Sequence, residues 1–133
     1  MDTRSKIISL EQAAEVASRL RSEGRRLALA AGCFDVLRAS QARFLSRLRG
    51  DGAALLVAVY GDQCLRRLLR RAEPILGEQA RARMVAALAA VDYVVIWREE
   101  DLNPLQRRLQ SDPVEVALAE EGNIIAEVLK RRQ

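Results

Sequence analysis

Residues 26–37 read R-L-A-L-A-A-G-C-F-D-V-L, a short apolar run that Gly32 interrupts. An apolar run of this length without polar alternation is typical of a strand buried on both faces of a parallel sheet. Comparable runs at residues 53–60 and Tyr93–Trp97, and a shorter one at residues 114–118, predict three more buried strands. These runs decide the fold, because the segments between them must connect parallel strands.

The segments between the predicted strands carry apolar residues at helical spacing. Helices are predicted at residues 10–24, 38–49, 63–71, 78–90, 103–110 and 123–132. Parallel strands need a crossover of about a dozen residues, and a helix supplies it. The sequence therefore predicts an α/β fold with a Rossmann-like, doubly wound parallel sheet of about five strands flanked by helices. We expect residues 1–133 to form a single domain, with an N-terminal helix in residues 1–24 packed on it.

The composition excludes several kinds of catalytic and metal site. The 133 residues include 22 Lys+Arg, 18 Asp+Glu and no histidine, for a formal net charge of +4. Without histidine, a Ser-His-Asp or Cys-His catalytic group is impossible, and so is imidazole ligation of zinc. Cys33 and Cys64 lie far apart in sequence, which favours reduced thiols over a disulfide or a metal site. We expect no metal ligands among the protein's own side chains.

Neither a membrane span nor a signal peptide is predicted. No apolar run reaches the roughly 18 residues that a transmembrane helix needs, and residues 1–5 are too polar for a signal sequence. We therefore expect a cytoplasmic protein that does not contact a membrane. The small positive charge permits an anionic ligand without requiring one.

Ligands of doubly wound sheets bind outside the carboxyl ends of the strands, where the strand order reverses. Short motifs follow the predicted strands there and in later segments. They are G-C-F-D-V-L at residues 32–37, Asp62, Pro74-Ile75, Glu78, Arg81 and V-D-Y-V-V at residues 91–95. This ordered set resembles the cytidylyltransferase-like nucleotidyltransferases, whose pattern includes G-C-F-D-x-L-H-x-G-H, D-x-S-V, R-P-I, P-E-x-x-R and V-D-Y-V-V. Within that family it is most similar to the adenylyltransferase domain of bacterial ADP-heptose synthase, and next to glycerol-3-phosphate cytidylyltransferase.

The resemblance implies a reaction in which a sugar or alditol phosphate attacks the α-phosphate of ATP or CTP, and pyrophosphate leaves. Mg²⁺ and the nucleotide are implied only if nucleotide binding is retained. Catalysis of this kind rests on positioning and on donors aimed at the phosphoryl oxygens. The residues that match the family's nucleotide- and phosphate-binding positions are Gly32, Phe34, Asp35, Arg38, Gln41, Asp62 and Arg81.

The chain departs from the family pattern at the positions that handle phosphate. The H-x-G-H signature is replaced by Arg38-Ala39-Ser40-Gln41. The family's phosphate-binding lysine and the glycine after it fall on Leu69 and Arg70, and its arginine before Pro-Ile falls on Glu73. Its C-terminal Ser-Thr-Thr signature falls on Glu121, Gly122 and Asn123. Arg38, Ser40 and Gln41 thus occupy degenerate positions, and no residue is assigned a catalytic role.

These departures predict a pseudoenzyme, a catalytically degenerate domain with a non-catalytic binding or assembly role. We expect it to form a homo-oligomer or to pair with an active relative, and to have a nucleotide or phosphate as its candidate ligand. The alternative is an active nucleotidyltransferase in which Arg38 and Gln41 replace the motif histidines. Nucleic-acid binding through the arginine-rich residues 66–71 ranks last, because acidic residues are interspersed elsewhere and only 4% of the chain is aromatic.

Overall fold

The computed structural model of the chain describes residues 2–70 and 74–116. Four strands are present there: β1 (Leu27–Gly32), β2 (Ala54–Tyr60), β3 (Tyr93–Trp97) and β4 (Pro113–Glu115). They form one parallel sheet in the order β3-β2-β1-β4. The prediction of an α/β, Rossmann-like sheet is confirmed. About five strands were expected, but the described residues contain four. Each of the four corresponds to one of the four apolar runs, and no further strand forms between them in this part of the chain.

Helices connect the strands of the described residues. They are α1 (Leu10–Ser22), α2 (Ala39–Arg49), α3 (Asp62–Leu69), α4 (Glu78–Ala86) and α5 (Asn103–Leu109), and a 3-10 turn at Thr3–Lys6 precedes α1. The predicted helix at residues 78–90 ends early because the amide of Leu88 donates three residues back, to the carbonyl of Val85. The helix predicted at residues 123–132 lies outside the described residues. Among the helices described, none has the length and apolar content needed to cross a membrane.

Helices cover both faces of the sheet, because alternate residues of each strand point to opposite faces. On one face α1, α3 and α5 pack against strand residues such as Leu56 and Val95. On the other face α2 and α4 pack against Val57 and Val94. This double burial explains the uninterrupted apolar runs and makes the sheet doubly wound, as predicted.

The segment before α1 covers part of the outer edge of β3. Ile7 forms a parallel bridge with Val94, and the amide of Ile8 donates to the carbonyl of Val94 at 2.9 Å. Ile7 packs against one core and Ile8 against the other. An uncovered edge strand offers its backbone groups to other chains, so this segment protects β3 from such pairing.

The strand order reverses at β1. Strands β2 and β3 follow on one side of it, whereas β4 pairs on the other side, with Ala31 opposite Glu115. The carboxyl end of β1 is therefore the switch point at which sheets of this kind bind ligands. The residues after Gly32 lead from this point into α2.

Arg70 ends α3 in the left-handed conformation, with φ 53° and ψ 45°. An L-residue in this conformation costs about 1–2 kcal/mol, a penalty that glycine avoids. We expect Arg70→Gly to raise the free energy of unfolding by about 0.5–1 kcal/mol in a urea titration. The control Arg43→Gly, in the exposed middle of α2, should lower it by about 1 kcal/mol. A loss of stability in both variants would contradict the conformational argument.

Candidate functional site

The turn after β1 is built around Phe34. Its backbone has φ 55°, which L-residues rarely adopt, and the residue is completely buried. The ring fills the space beside Gly32, where an added Cβ would lie 2.9 Å from Cε2 of Phe34 and 3.1 Å from Cβ of Val116. Gly32 and Phe34 therefore shape the floor of the switch point by packing.

The carboxylate of Asp35 ties the switch point to the loop before α4. Its Oδ2 accepts a hydrogen bond from the amide of Ile75 at 2.7 Å, and its Oδ1 accepts one from the amide of Leu76 at 2.7 Å. Asp35 is only 1% exposed. Because each oxygen holds a backbone amide, Asp35 fixes the course of this loop over the space at the carboxyl ends of β1 and β2, which we call the crevice.

Arg81 links the same loop to the ends of two strands, and it has no exposed surface. Its Nε donates to the carbonyl of Leu76 at 2.9 Å. Its Nη1 donates to the carbonyl of Cys33 at 2.9 Å and to that of Tyr60 at 2.5 Å. Its Nη2 donates to Oδ1 of Asp62 at 2.8 Å. One guanidinium thus donates to the loop before α4, the turn after β1, the end of β2 and the start of α3. Its donors are therefore bonded to acceptors within the protein.

The start of α2 carries the three residues that replace the H-x-G-H signature. Arg38 is exposed, and its amide donates to Oε1 of Gln41 at 3.1 Å. Gln41 is 4% exposed. Its Nε2, together with Oγ of Ser40, is buried without a hydrogen-bond partner among the residues that the structure describes. The first amides of a helix also lack partners within the helix, so the start of α2 offers donors of the kind that suit an anion.

A second group of polar residues lines a cavity of about 390 Å³ at the carboxyl ends of β2 and β3. The lining residues are Gly61, Asp62, Gln63, Cys64, Arg66, Glu78 and Arg98. Glu78 braces this cavity: its Oε1 accepts from the amide of Asp62 at 3.0 Å, and its Oε2 accepts from Nη2 of Arg98 at 2.5 Å. The side chain of Asp62 is 30% exposed and remains ion-paired with Arg81. The cavity is therefore polar and carries both signs of charge.

The Cys64 thiol in the cavity wall is not activated. Burial raises its pKa above the ordinary value of 9.0, and the Glu100 carboxylate raises it further, whereas Arg67 opposes the shift. The thiolate is the nucleophilic form of cysteine, so at neutral pH Cys64 is a protonated, unreactive thiol. Cys33 is also buried, and neither cysteine forms a disulfide bond.

The acidic residues of the crevice have hydrogen-bond or ion-pair partners within the protein. Both oxygens of Asp35 accept backbone amides, and one oxygen of Asp62 is held by Arg81. In nucleotide sites Mg²⁺ usually keeps several waters and is held by one or two carboxylates together with the phosphates of the substrate. Within residues 2–70 and 74–116, no three cysteine, aspartate or glutamate side chains cluster as metal ligands would. The Mg²⁺ that the resemblance implies would take most of its oxygen ligands from the nucleotide's phosphates and from water, so the described residues do not exclude it.

The predicted site residues lie in two parts of the structure, the start of α2 and the cavity at the carboxyl ends of β2 and β3. Those at the start of α2 and in the turn before it are Gly32, Phe34, Asp35, Arg38 and Gln41. Asp62 lies in the cavity, and Arg81 is buried between the two places. Glu78 and Arg98 were not predicted as site residues. The signal that could have found Arg98 is its place immediately after β3, at the edge of the sheet where ligands bind.

Comparisons with known proteins agree with this geometry. The model of the cytidylyltransferase-like family matches residues 29–130. The bifunctional protein HldE of Koribacter versatilis is 40% identical over 95 residues, which are 71% of this chain and 20% of that protein. HldE of Wolinella succinogenes is 33% identical over 111 residues, which are 84% of this chain and 23% of that protein. The chain thus spans about a fifth of the length of the curated relatives that it matches.

A solved structure supports the same fold. The lipopolysaccharide core biosynthesis protein from Thermoplasma volcanium GSS1 matches with a TM-score of 0.59 and 23% identity, covering 77% of this chain and 88% of that one. The family match, at residues 29–130, extends over the strands and helices that carry both parts of the candidate site. The chain therefore belongs to the cytidylyltransferase-like family.

Proposed function

We propose that this domain binds a phosphate-bearing ligand, with ATP or CTP as the first candidates, at the start of α2, and that it does not carry out nucleotidyl transfer. One observation carries the proposal. The side chain of Gln41 turns back to accept the amide of Arg38, and it leaves a buried, unpartnered Nε2 as its remaining group. A side chain placed in this way can donate to an anion but cannot exchange protons with a substrate.

The binding half of the proposal rests on buried donors. A buried polar group without a partner costs about 1–3 kcal/mol, and two consecutive residues carry such groups, Ser40 with its Oγ and Gln41 with its Nε2. The oxygens of a phosphate would satisfy both. The positive end of the α2 dipole and the exposed cation of Arg38 act in the same direction.

The non-catalytic half rests on the chemistry of the replaced groups. Glutamine does not titrate, so it cannot serve as an acid or a base. Loss of one preorganised donor costs about 100- to 1,000-fold in rate. Here two histidines, a lysine and an arginine of the family pattern are absent together, at Arg38, Gln41, Leu69 and Glu73. Such losses are not additive, but together they leave binding as the activity that the remaining groups support.

Calorimetric titration with ATP and with CTP, each with Mg²⁺, tests the binding half. We expect binding that weakens about tenfold or more in Gln41→Ala, because a donor to a charged group is lost. The matched control is Gln79→Ala, an exposed glutamine on α4 that should bind as the unchanged protein does. Absence of heat at millimolar nucleotide would exclude the proposed ligand.

A pyrophosphate-release assay with sugar and alditol phosphates tests the non-catalytic half, and no release above a protein-free control is expected. Formation of an ADP- or CDP-linked product that Arg38→Ala abolishes would instead establish the alternative, an active nucleotidyltransferase. The observation that favours this alternative is the exposed guanidinium of Arg38 at the helix start, because such a cation can grip phosphate at two points.

The proposal also includes an assembly role in the cytoplasm. The relatives that match are bifunctional proteins, and this chain corresponds to about a fifth of their length. We propose that it associates with itself or with an active relative. Light scattering after size-exclusion chromatography would reveal a homo-oligomer, and a monomer that also ignores an added active relative would count against the assembly role.

A further inference from the structure

Helix α2 carries two exposed arginines and no acidic residue. Arg43 and Arg47 are four residues apart, so they lie side by side on the helix surface. Among the residues that the structure describes, neither lies within ion-pair distance of a carboxylate. Like charges at this spacing destabilise a helix, so helix stability does not explain why both are present.

Two further arginines extend this positive charge toward the amino end of the sheet. Arg25 and Arg26 are exposed and lie immediately before β1. Their guanidinium groups donate to backbone carbonyls in the last turn of α2 and in the turn after it, at 3.0–3.4 Å. These bonds fix both cations beside α2 and leave their charge in place. We call the group of Arg25, Arg26, Arg43 and Arg47 the basic surface.

The neighbouring carboxylates offset little of this charge. Asp92 accepts from Nε of Arg49 at 3.0 Å. Glu23 lies 4.0 Å from Nε of Arg19. Asp51, exposed in the turn after α2, offsets at most one of the four positive charges. The basic surface therefore keeps a positive potential that attracts an anionic partner.

Helix α1 shows the opposite pattern near its start. Glu11 and Glu15 are exposed and again four residues apart. Neither has an arginine or lysine within ion-pair distance in the described part of the chain. The helix dipole favours Glu11, which is in the first turn, whereas Glu15 lies beyond that turn and is repelled by Glu11. Arg19, one turn further along, contacts Glu23 and the hydroxyl of Tyr93.

Glu99 brings a third carboxylate to the same region. It is exposed just after β3, and it lines a cavity together with Ser9 and Leu10, the cap and the first residue of α1. Arg98, the residue before it, is paired with Glu78. We call the group of Glu11, Glu15 and Glu99 the acidic surface.

The two surfaces lie on opposite faces and at opposite ends of the sheet. Helix α1 packs on one face and α2 on the other. The acidic surface lies beside the carboxyl end of β3, whereas the basic surface lies beside the amino end of β1. One molecule cannot bring its own two surfaces together, but the basic surface of one copy can meet the acidic surface of another. Complementary potentials of this kind steer and orient association.

We infer that the partner of each surface is a second copy of this chain, bound head to tail, with the basic surface of one copy against the acidic surface of the next. The inference rests on the assembly role in the proposed function and names the surfaces that carry it. Exposed ion pairs are individually weak, so the association is reversible and is screened by salt. A contact between two different surfaces leaves one of each free at the ends, so the average mass keeps rising with concentration unless a ring closes.

Sedimentation velocity of the full chain over a range of concentrations tests the inference. The runs are made at about 0.01 M and at about 1 M salt, where charges are screened beyond about 30 Å and about 3 Å. At low salt we expect an average mass above that of the monomer, rising with concentration. At high salt the mass should fall to that of the monomer.

Two charge-reversed variants identify the surfaces. Arg43→Glu with Arg47→Glu reverses the basic surface, and Glu11→Lys with Glu15→Lys reverses the acidic one. Each variant alone should be monomeric at low salt, because its two surfaces then carry the same sign. An equimolar mixture of the two should associate again, since the unchanged acidic surface of the first meets the unchanged basic surface of the second.

The matched control is Arg83→Glu with Arg107→Glu, which changes the net charge as the first variant does but alters exposed positions on α4 and α5. It should associate as the unchanged protein does. Circular dichroism verifies that every variant is folded. If the control lost association to the same extent, net charge and not these surfaces would drive it, and the inference would be wrong.

Three further results would overturn the inference. They are a monomer at low salt over the whole concentration range, association that salt and both reversals leave unchanged, or a mixture of folded variants that stays monomeric. The second result would contradict the surfaces and leave the assembly role standing. A monomer at low salt that also ignores an added active relative would count against both.

Discussion

Replacement of Arg81 by methionine should lower the free energy of unfolding by about 3–5 kcal/mol, because three backbone carbonyls each lose a hydrogen bond from a buried guanidinium and an unsatisfied buried group costs about 1–3 kcal/mol. Methionine keeps most of the stem volume but none of the donors. The carbonyls of Cys33, Tyr60 and Leu76 would lose their donor, and Asp62 would lose its counter-charge. The loss should be large because four segments of the chain meet at this one guanidinium.

Urea unfolding followed by circular dichroism and by the fluorescence of Trp97 measures this effect. The matched control is Arg83→Met, two residues further along α4, where the side chain is exposed and the change should stay within about 0.5 kcal/mol. If the methionine variant does not fold, Arg81→Lys should fold with a smaller loss, because it keeps the charge but not the planar fork. If Arg81→Met lowered the free energy of unfolding by less than about 1 kcal/mol, the size of one ordinary hydrogen bond, the conclusion that Arg81 holds several segments together would be contradicted.

The fold could be predicted from the sequence because burial on both sides of a sheet leaves a strong pattern. The runs at β1 and β2 are apolar at nearly every position, and the structure buries both strands on both faces. The end of α4 could not be predicted in the same way. Its alanines continue to residue 90 with good helix propensity, but the chain must turn to bring the Asp92 amide to the carbonyl of Leu55. Tertiary bonding there prevails over local propensity.

The candidate site was less accessible to sequence reasoning, because residue identity does not reveal what a side chain contacts. Arg81 matched a binding position of the family, yet it lies four residues before the buried Val85, on the core side of α4. That spacing was a signal of burial. Gln41 matched a binding position of the family, and only the structure reveals that its oxygen accepts the amide of Arg38 while its Nε2 has no partner among the described residues. Arg98 carried no motif, and its close approach to Gly61 is a tertiary contact that sequence spacing does not reveal.

Asp35→Asn is the second substitution for which we expect a large effect, a loss of about 1.5–3 kcal/mol in the free energy of unfolding. The carboxylate accepts two backbone amides, one on each oxygen. An asparagine has one acceptor oxygen, so whichever way the amide turns, its NH₂ group faces the N–H of Ile75 or of Leu76. One buried hydrogen bond becomes an opposition of two donors, and the favourable charge is lost as well.

The amides at which hydrogen exchange becomes faster should show which contact of Asp35 stabilises the protein. Hydrogen exchange at the amides of Ile75 and Leu76 should become faster than in the unchanged protein by more than global destabilisation explains, because the loop at residues 74–77 is released locally. The control Asp51→Asn, in the exposed turn after α2, should alter neither stability nor exchange. If Asp35→Asn lost stability while Ile75 and Leu76 kept their relative protection, Asp35 would act through the turn at Phe34 and not through the loop. The shape of the crevice between α2 and the cavity would then depend on packing at Phe34, and the hydrogen bonds of Arg81 would be the polar contacts that hold its loop in place.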